Sequence, residues 1–337
     1  MNIGMIGMGN MGTTMGNLIA RNGFTVAGWD IHPEVVSEIN SMHANTRYLK
    51  GIALDVRLSA VNDLSRLLEN TDILFIAIPS MFIDSTLETC AHRLKNEAIL
   101  VNLAKGINAD TGETAFQMLS RLFPGQSKVM LSGPSIANEI ARGMPTVVVI
   151  AGKDTAALKS VQSVLENDYF KCGISHDEAG VELGGILKNI YAIGLGVFDG
   201  KKVTSINFRS VYLTLALEEM AGIGAALGAR RETFLFVAGL GDLFATSLSE
   251  HSHNRRLGEL LAQGISLAKV TSMMSILPEG YNTLQAVLGI ARSKGITVPV
   301  AQGLNSFISG EMTTEAFIQS VIKIADSSGA STITKDQ

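Results

Sequence analysis

The feature that most constrains this chain is the segment Gly7-Met8-Gly9-Asn10-Met11-Gly12, read together with what flanks it. A short apolar strand, Ile3–Ile6, leads in, and a helix over Met11–Arg21 leads out, with Asn22-Gly23 as its stop signal. A G-x-G-x-x-G pattern is common by chance. Between a strand and a helix it is the phosphate-binding turn of a βαβ unit. Gly7 permits the tight turn, Gly9 lets a pyrophosphate approach the backbone at the positive end of the helix, and Gly12 lets the helix lie against the strand. A second strand, Thr25–Trp29, runs into Asp30, 18 residues beyond Gly12. That is near the roughly 20 at which an acidic residue meets the ribose of a dinucleotide. The competing reading is a plain strand–turn–helix in which Asp30 caps the next segment.

The rest of the first half repeats the alternation. A helix is predicted over Glu34–Ser41, after Pro33. Ile73–Ile78 is a continuous apolar run that ends at Pro79-Ser80, and Ile99–Leu103 and Thr146–Ala151 look the same. Such runs fit strands covered on both faces, the mark of a parallel sheet between helices. The expected class is α/β, with a doubly wound N-terminal sheet. Lys105-Gly106 follows a strand and so stands at the sheet's carboxyl edge, where ligands of open α/β sheets bind.

After about Asp177 the Val–Ile runs give way to long helical patterns over Gly180–Phe198, Val211–Leu227, Arg256–Ala262, Thr283–Lys294 and Thr314–Ile324. The predicted organisation is a dinucleotide domain over 1–178, an all-helical domain over 179–328 and a polar tail over 329–337. With 337 residues and 46% hydrophobic content the chain can bury two cores. Acidic residues outnumber basic ones, 31 to 27, so neither a nucleic-acid nor a membrane-surface partner is expected. No apolar run reaches the roughly 18 residues of a spanning helix. Met1–Gly7 reads straight into a strand rather than a secretion signal. Cys90 and Cys172 form no metal-type pair, no metal site is expected, and the two isolated thiols suit a cytoplasmic protein.

Several segments resemble one family, the bacterial-type NAD(P)-dependent glycerol-3-phosphate dehydrogenases. They are Asn45-Thr46-Arg47-Tyr48-Leu49-Lys50-Gly51-Ile52, Ala104-Lys105-Gly106-Ile107, Ser132-Gly133-Pro134-Ser135-Ile136-Ala137-Asn138-Glu139, Gly180-Val181-Glu182-Leu183-Gly184-Gly185-Ile186-Leu187-Lys188-Asn189, Ala238-Gly239-Leu240-Gly241-Asp242-Leu243 and Pro278-Glu279-Gly280. The resemblance implies a Rossmann-like N-terminal domain and a C-terminal domain like that of 6-phosphogluconate dehydrogenase. It implies reduction of dihydroxyacetone phosphate to sn-glycerol 3-phosphate, and a homodimer is the expected assembly. Lys188 becomes the acid/base that protonates the alkoxide left at C2 by hydride attack, and Asp242 its acidic partner. The competing readings are a solvated helix lysine and a helix cap.

The same resemblance assigns Lys105, Gly133, Ser135, Lys188, Asp242, Ser252, His253, Asn254 and Arg255 to the substrate. It assigns Gly7, Gly9, Asn10, Met11, Gly12, Asp30, Lys105, Ala137 and Glu279 to the cofactor. Asp30 would repel a ribose 2′-phosphate, which favours NAD, while His32 offsets that charge and leaves NADP possible. The chain also departs from the family pattern. Asn10 and Met11 replace a serine and an aromatic residue, and His253 and Leu215 stand where arginines are usual. Arg255, Lys201 and Lys202 are candidates to restore the positive charge. The alternative is a dehydrogenase of the same fold acting on another small phosphate, phosphonate or hydroxy acid.

Overall fold

The computed structural model describes residues 1–108, 111–249, 252–274 and 277–333, with side chains described as far as residue 327. By its internal contacts the chain divides into two compact units, Met1–Glu182 and Leu183–Gln337. The division falls inside a continuous helix, Glu178–Gly200.

The first unit is built on the strands β1 (Ile3–Ile6), β2 (Val26–Trp29), β3 (Leu58–Val61), β4 (Ile73–Ile76), β5 (Ile99–Asn102), β6 (Ser127–Ser132), β7 (Thr146–Ala151) and β8 (Phe170–Ser175). They form one sheet in the order β3-β2-β1-β4-β5-β6-β7-β8. β1 and β4 are buried at every position because helices cover both faces. Alternate residues serve opposite faces: Ile3, Met5, Phe75 and Val101 enter one core, and Ile6, Leu74, Ile76 and Leu100 the other. β1 lies between β2 and β4, so the strand order reverses beside it. Ligands of open α/β sheets sit at such a switch point, outside the carboxyl ends of the strands.

The sheet is not wholly parallel. β6 and β7 pair antiparallel, and β7 and β8 then run parallel to each other. An apolar run such as Thr146–Ala151 reports burial, not direction, so its expected place in a wholly parallel sheet is corrected here. β3, β6 and β8 carry no comparable run and are additions to the expected strands. β3 and β8 are edge strands that bury only Leu58 and Ala60, and Phe170 and Cys172. β6 opens on the polar pair Ser127-Lys128.

Among its described residues the second unit contains helices and no strand. The helix Glu178–Gly200 enters it, followed by Ile206–Ala226, Asp242–Leu248, His253–Ala262, Leu267–Met274, Glu279–Lys294, Pro299–Ile308 and Thr314–Ile333. The last helix runs through the first residues of the expected polar tail, and 334–337 lie outside the described residues. Glu178–Gly200 also corrects the expectation that nothing here is long and apolar enough to cross a membrane. It contains an 18-residue window of mean hydropathy 1.3, and that window is wholly buried within the protein. A helix apolar on all sides is a core helix when other helices surround it. Two glycines set how closely they pack. A Cβ at Gly196 would collide with the Arg255 carbonyl, and one at Gly258 with the Ile193 carbonyl.

Candidate active site

The glycine turn follows β1 as the sequence predicts, and its three glycines have three different reasons. Gly7 takes a φ of +90°, which L side chains rarely adopt. A Cβ on Gly12 would run into the Gly7 carbonyl oxygen, so helix and strand touch there. A Cβ on Gly9 would meet nothing within 4 Å. The protein itself makes no demand for glycine at that position. The open backbone at the first turn of Asn10–Arg21 is a cradle for an anion.

The turn is held from three directions. Asp30 is 6% exposed; its Oδ2 accepts from the Met8 N–H at 2.9 Å and its Oδ1 from the His32 N–H at 2.9 Å. Each oxygen keeps further acceptor capacity, so bracing the turn and bonding a ribose hydroxyl are compatible. The Met8 carbonyl accepts from Thr13 Oγ1 and from Asn45 Nδ2, both at 2.8 Å. Asn45 is fully buried, and its Oδ1 has no partner among the described residues. Sequence gives Asn45 no task beyond its place in a family segment. The structure supplies one, because a buried asparagine must find hydrogen bonds. Asn10 is exposed at the start of the helix and Met11 half-buried behind it. The buried Ala137 opens the short helix Ala137–Ala141, and its carbonyl accepts from Thr14 Oγ1 at 3.4 Å.

The ends of β5 and β6 bring Lys105, Gly133 and Ser135 together. Lys105 Nζ donates to the Gly133 carbonyl at 3.1 Å and to Ser135 Oγ at 3.2 Å. Gly133 has a φ of +114°, which L side chains rarely adopt. The result is a half-buried ammonium at the carboxyl edge of the sheet, suited to a small anion.

In the second unit, Lys188 and Asp242 form a buried ion pair, Nζ to Oδ1 at 2.5 Å. Their side chains are 10% and 2% exposed. Lys188 also donates to Thr246 Oγ1 at 2.7 Å. Two elements fix this geometry. Glu178–Gly200 presents Lys188, and Asp242–Leu248 presents Asp242 in its first turn and Thr246 one turn later. Asp242 follows an irregular π-helical turn, Val237–Gly241, and a Cβ on Gly184 would come within 2.5 Å of the Ala238 carbonyl in that turn. Close approach through Gly184 therefore lets the turn deliver Asp242 to the lysine helix. Thr246 is the functional candidate that the sequence does not reveal, because a threonine in a short helix carries no signal of its own.

Further along, several of the remaining candidates are bonded to other helices of the second unit. Ser252 caps the helix His253–Ala262, its Oγ accepting from the Arg255 N–H at 3.3 Å. His253 is exposed at the first position of that helix. Asn254 donates to Asn189 Oδ1 at 3.2 Å and accepts from the Gly280 N–H at 3.0 Å, tying three helices together. Glu279 begins the helix Glu279–Lys294 and is half-buried. Arg255, the candidate to replace a missing substrate arginine, is held by groups of the protein itself. Its guanidinium grips Asp199 Oδ2 at 2.9 and 2.6 Å and the Ser247 and Ser249 carbonyls at 2.9 and 2.7 Å. Asp199 also holds Arg209 at 2.6 Å. Both arginines are committed to the ends of helices, where a cation meets bare carbonyls. Lys201 and Lys202 are exposed, and Leu215 is half-buried.

Residues 2–158 match the NAD-dependent glycerol-3-phosphate dehydrogenase N-terminus, and residues 177–319 match the C-terminus of the same family. This chain belongs to that family. A glycerol-3-phosphate dehydrogenase [NAD(P)+] of Pseudomonas fluorescens is 38% identical over 316 residues, which is 94% of this chain and 89% of that protein. One of Geobacter metallireducens is 37% identical over 303 residues, 89% of this chain and 90% of the other. Among solved structures, glycerol-3-phosphate dehydrogenase from Coxiella burnetii superposes with a TM-score of 0.88 at 27% identity, covering 95% of this chain and 98% of that one.

Family membership makes NAD(P) the cofactor, and the turn fits it. Gly9 leaves the backbone open, the helix beginning at Asn10 supplies N–H groups that no helical turn pairs, and the Asn45 Oδ1, without a partner among the described residues, lies behind the same turn. The cysteines have no part in this chemistry. Both are buried, and burial pushes the Cys172 thiol up to about 12.

Proposed function

We propose that this chain catalyses the reversible reduction of dihydroxyacetone phosphate to sn-glycerol 3-phosphate, with Lys188 as the proton donor. The observation that carries this reading is the buried Lys188–Asp242 pair in a chain whose relatives share the family over about nine-tenths of their length. When bound, the nicotinamide dinucleotide supplies the hydride. The alkoxide that forms at C2 needs a proton and a compensating charge, and a desolvated ammonium provides both. Asp242 supplies the counter-charge to Lys188 and, with Thr246, aims its Nζ. Lys105 holds a substrate oxyanion beside Gly133 and Ser135. Gly9, Asn10, Met11, Gly12 and Ala137 hold the dinucleotide through backbone N–H groups at helix starts, Gly7 shapes the turn that presents them, and Asp30 receives its ribose. Ser252, His253 and Asn254 line the substrate's phosphate end, and Glu279 contacts the cofactor. Arg255 serves the scaffold instead.

A second reading keeps the fold and cofactor and changes the substrate. His253 and Leu215 favour it, because neither offers the planar two-point grip of an arginine on a phosphate. We also propose a homodimer in the cytoplasm, the latter on the strength of two free buried thiols.

The test is oxidation of NADH by dihydroxyacetone phosphate, with NADPH alongside and Lys188→Ala as control. Rapid turnover that Lys188→Ala abolishes supports the proposal. Binding of NADH without turnover transfers the substrate assignment to other small phosphates, phosphonates and hydroxy acids.

A further inference from the structure

The two oxygens of Asp30 already accept backbone N–H groups, so its charge is partly spent on the turn. Three more ionisable side chains contact one another after the exit of β2. His32 Nδ1 is 3.6 Å from Glu34 Oε1, and Arg47 Nη1 is 3.0 Å from the same oxygen. The Arg47 guanidinium lies over the Tyr48 ring, 5.2 Å from its centre.

The segment carrying Arg47 is anchored on both sides. Asn45 Nδ2 donates to Met8 O and Thr13 Oγ1 in the glycine turn, and the Thr46 N–H donates to Glu38 Oε2 on the helix Pro33–Met42. Arg47 thus stands two residues from a side chain bonded to the glycine turn and pairs with Glu34, four positions after Asp30, at the corner where β2 ends. In a sheet of this strand order, that corner receives the adenosine ribose. An arginine there is what accommodates a ribose 2′-phosphate. Here Glu34 occupies that arginine and offers its own negative charge to the same place.

We propose that Glu34 is a cofactor-discriminating residue: by pairing with Arg47 it disfavours the dinucleotide that carries a 2′-phosphate. All three side chains are substantially exposed, 64% for Glu34, 48% for Arg47 and 40% for His32. An exposed pair is weak, so the phosphate is discouraged rather than excluded. The proposal goes beyond the assignment of NAD(P) to the family by naming the residue that divides the two forms in this chain.

The test is direct titration of the protein with NADH and with NADPH, read by nucleotide fluorescence in the absence of substrate. Adenosine 2′,5′-bisphosphate and 5′-AMP serve as competitors lacking the nicotinamide. Glu34→Gln should tighten NADPH by roughly three- to tenfold while NADH changes by less than about twofold. The double variant Glu34→Gln/Arg47→Ala should lose the gain, and unchanged NADH affinity in both shows that they are folded. Equal shifts for NADH and NADPH, or a gain that survives Arg47→Ala, overturn the proposal. Because no substrate is present, a wrong choice of reduced compound leaves the titration unaffected. Failure of the wild type to bind either dinucleotide would sink both the cofactor assignment and the role of Glu34.

Discussion

Replacing Asp242 by asparagine keeps the shape of the site, removes one charge and leaves Lys188 buried without its counter-ion. The Lys188 and Asp242 side chains are 10% and 2% exposed, so solvent screens little of their interaction. Removing one partner of a buried pair costs about 3–5 kcal/mol, because the other charge is left uncompensated. The two partners are not equivalent. Asp242 sits in the first turn of Asp242–Leu248, where the helix dipole favours an anion by about 0.3–1 kcal/mol and more when buried. Lys188 lies in the middle of its helix and gains no such support. Asp242→Asn should therefore destabilise the second unit by about 4 kcal/mol, and Lys188→Met by about 1 kcal/mol less. Both should lower kcat by about 100-fold or more, the usual contribution of a positioned general acid. The assay is urea unfolding followed by circular dichroism, fitted with separate transitions for the two units, alongside steady-state kinetics at saturating NADH. A loss of stability below about 1 kcal/mol for Asp242→Asn, with kcat within about threefold of wild type, would refute the claim that this pair is both buried and catalytic.

Three more predictions rest on separate observations. Gly9→Ala should leave the melting temperature unchanged and weaken NADH binding by about tenfold or more, whereas Gly12→Ala should fail to fold stably, since its Cβ meets the Gly7 carbonyl; calorimetry and fluorescence titration separate the two. Lys105→Ala should raise the KM for the phosphorylated substrate while NADH affinity falls far less; the reverse pattern would move Lys105 from substrate to cofactor. Burial holds the Glu219 carboxyl up at about 7, although it accepts from the Val300 and Ala301 N–H groups and from the Tyr191 hydroxyl. A raised carboxyl favours folding below its unfolded pKa, and that contribution is lost as pH rises through 7. Between pH 6 and pH 8 the loss is about 1 kcal/mol, and Glu219→Gln should flatten this part of the stability profile in denaturant titrations.

The first unit is largely legible in the sequence because its rules are local. A strand, a glycine turn and a helix occupy adjacent residues, and the acidic residue that completes the site comes at a nearly fixed distance after them. Burial on both faces makes a strand such as Ile73–Ile76 apolar throughout, so β1, β4 and β5 can be read directly. Strands at the edge, or opening on polar residues, lose that signature, and β3, β6 and β8 escape notice for this reason. The direction of β7 depends on how far the connection from β6 reaches, which no periodicity records.

The helical unit is legible as a class and not as a site. The helix around Lys188 can be read from its apolar neighbours, and the resemblance marks Lys188 and Asp242. Nothing local indicates that residues 54 positions apart form an ion pair. That pairing depends on Gly184, which lets the turn Val237–Gly241 approach, and on a helix phase that also delivers Thr246. Arg255 shows the opposite case. In sequence it is a cation beside an expected phosphate site; in the structure its donors belong to Asp199 and two carbonyls. The sequence by itself determined which chemical groups this protein possesses and the local turns that present them. The tertiary structure alone decided which of those groups are already committed to one another, because partners far apart in the chain are matched only by packing.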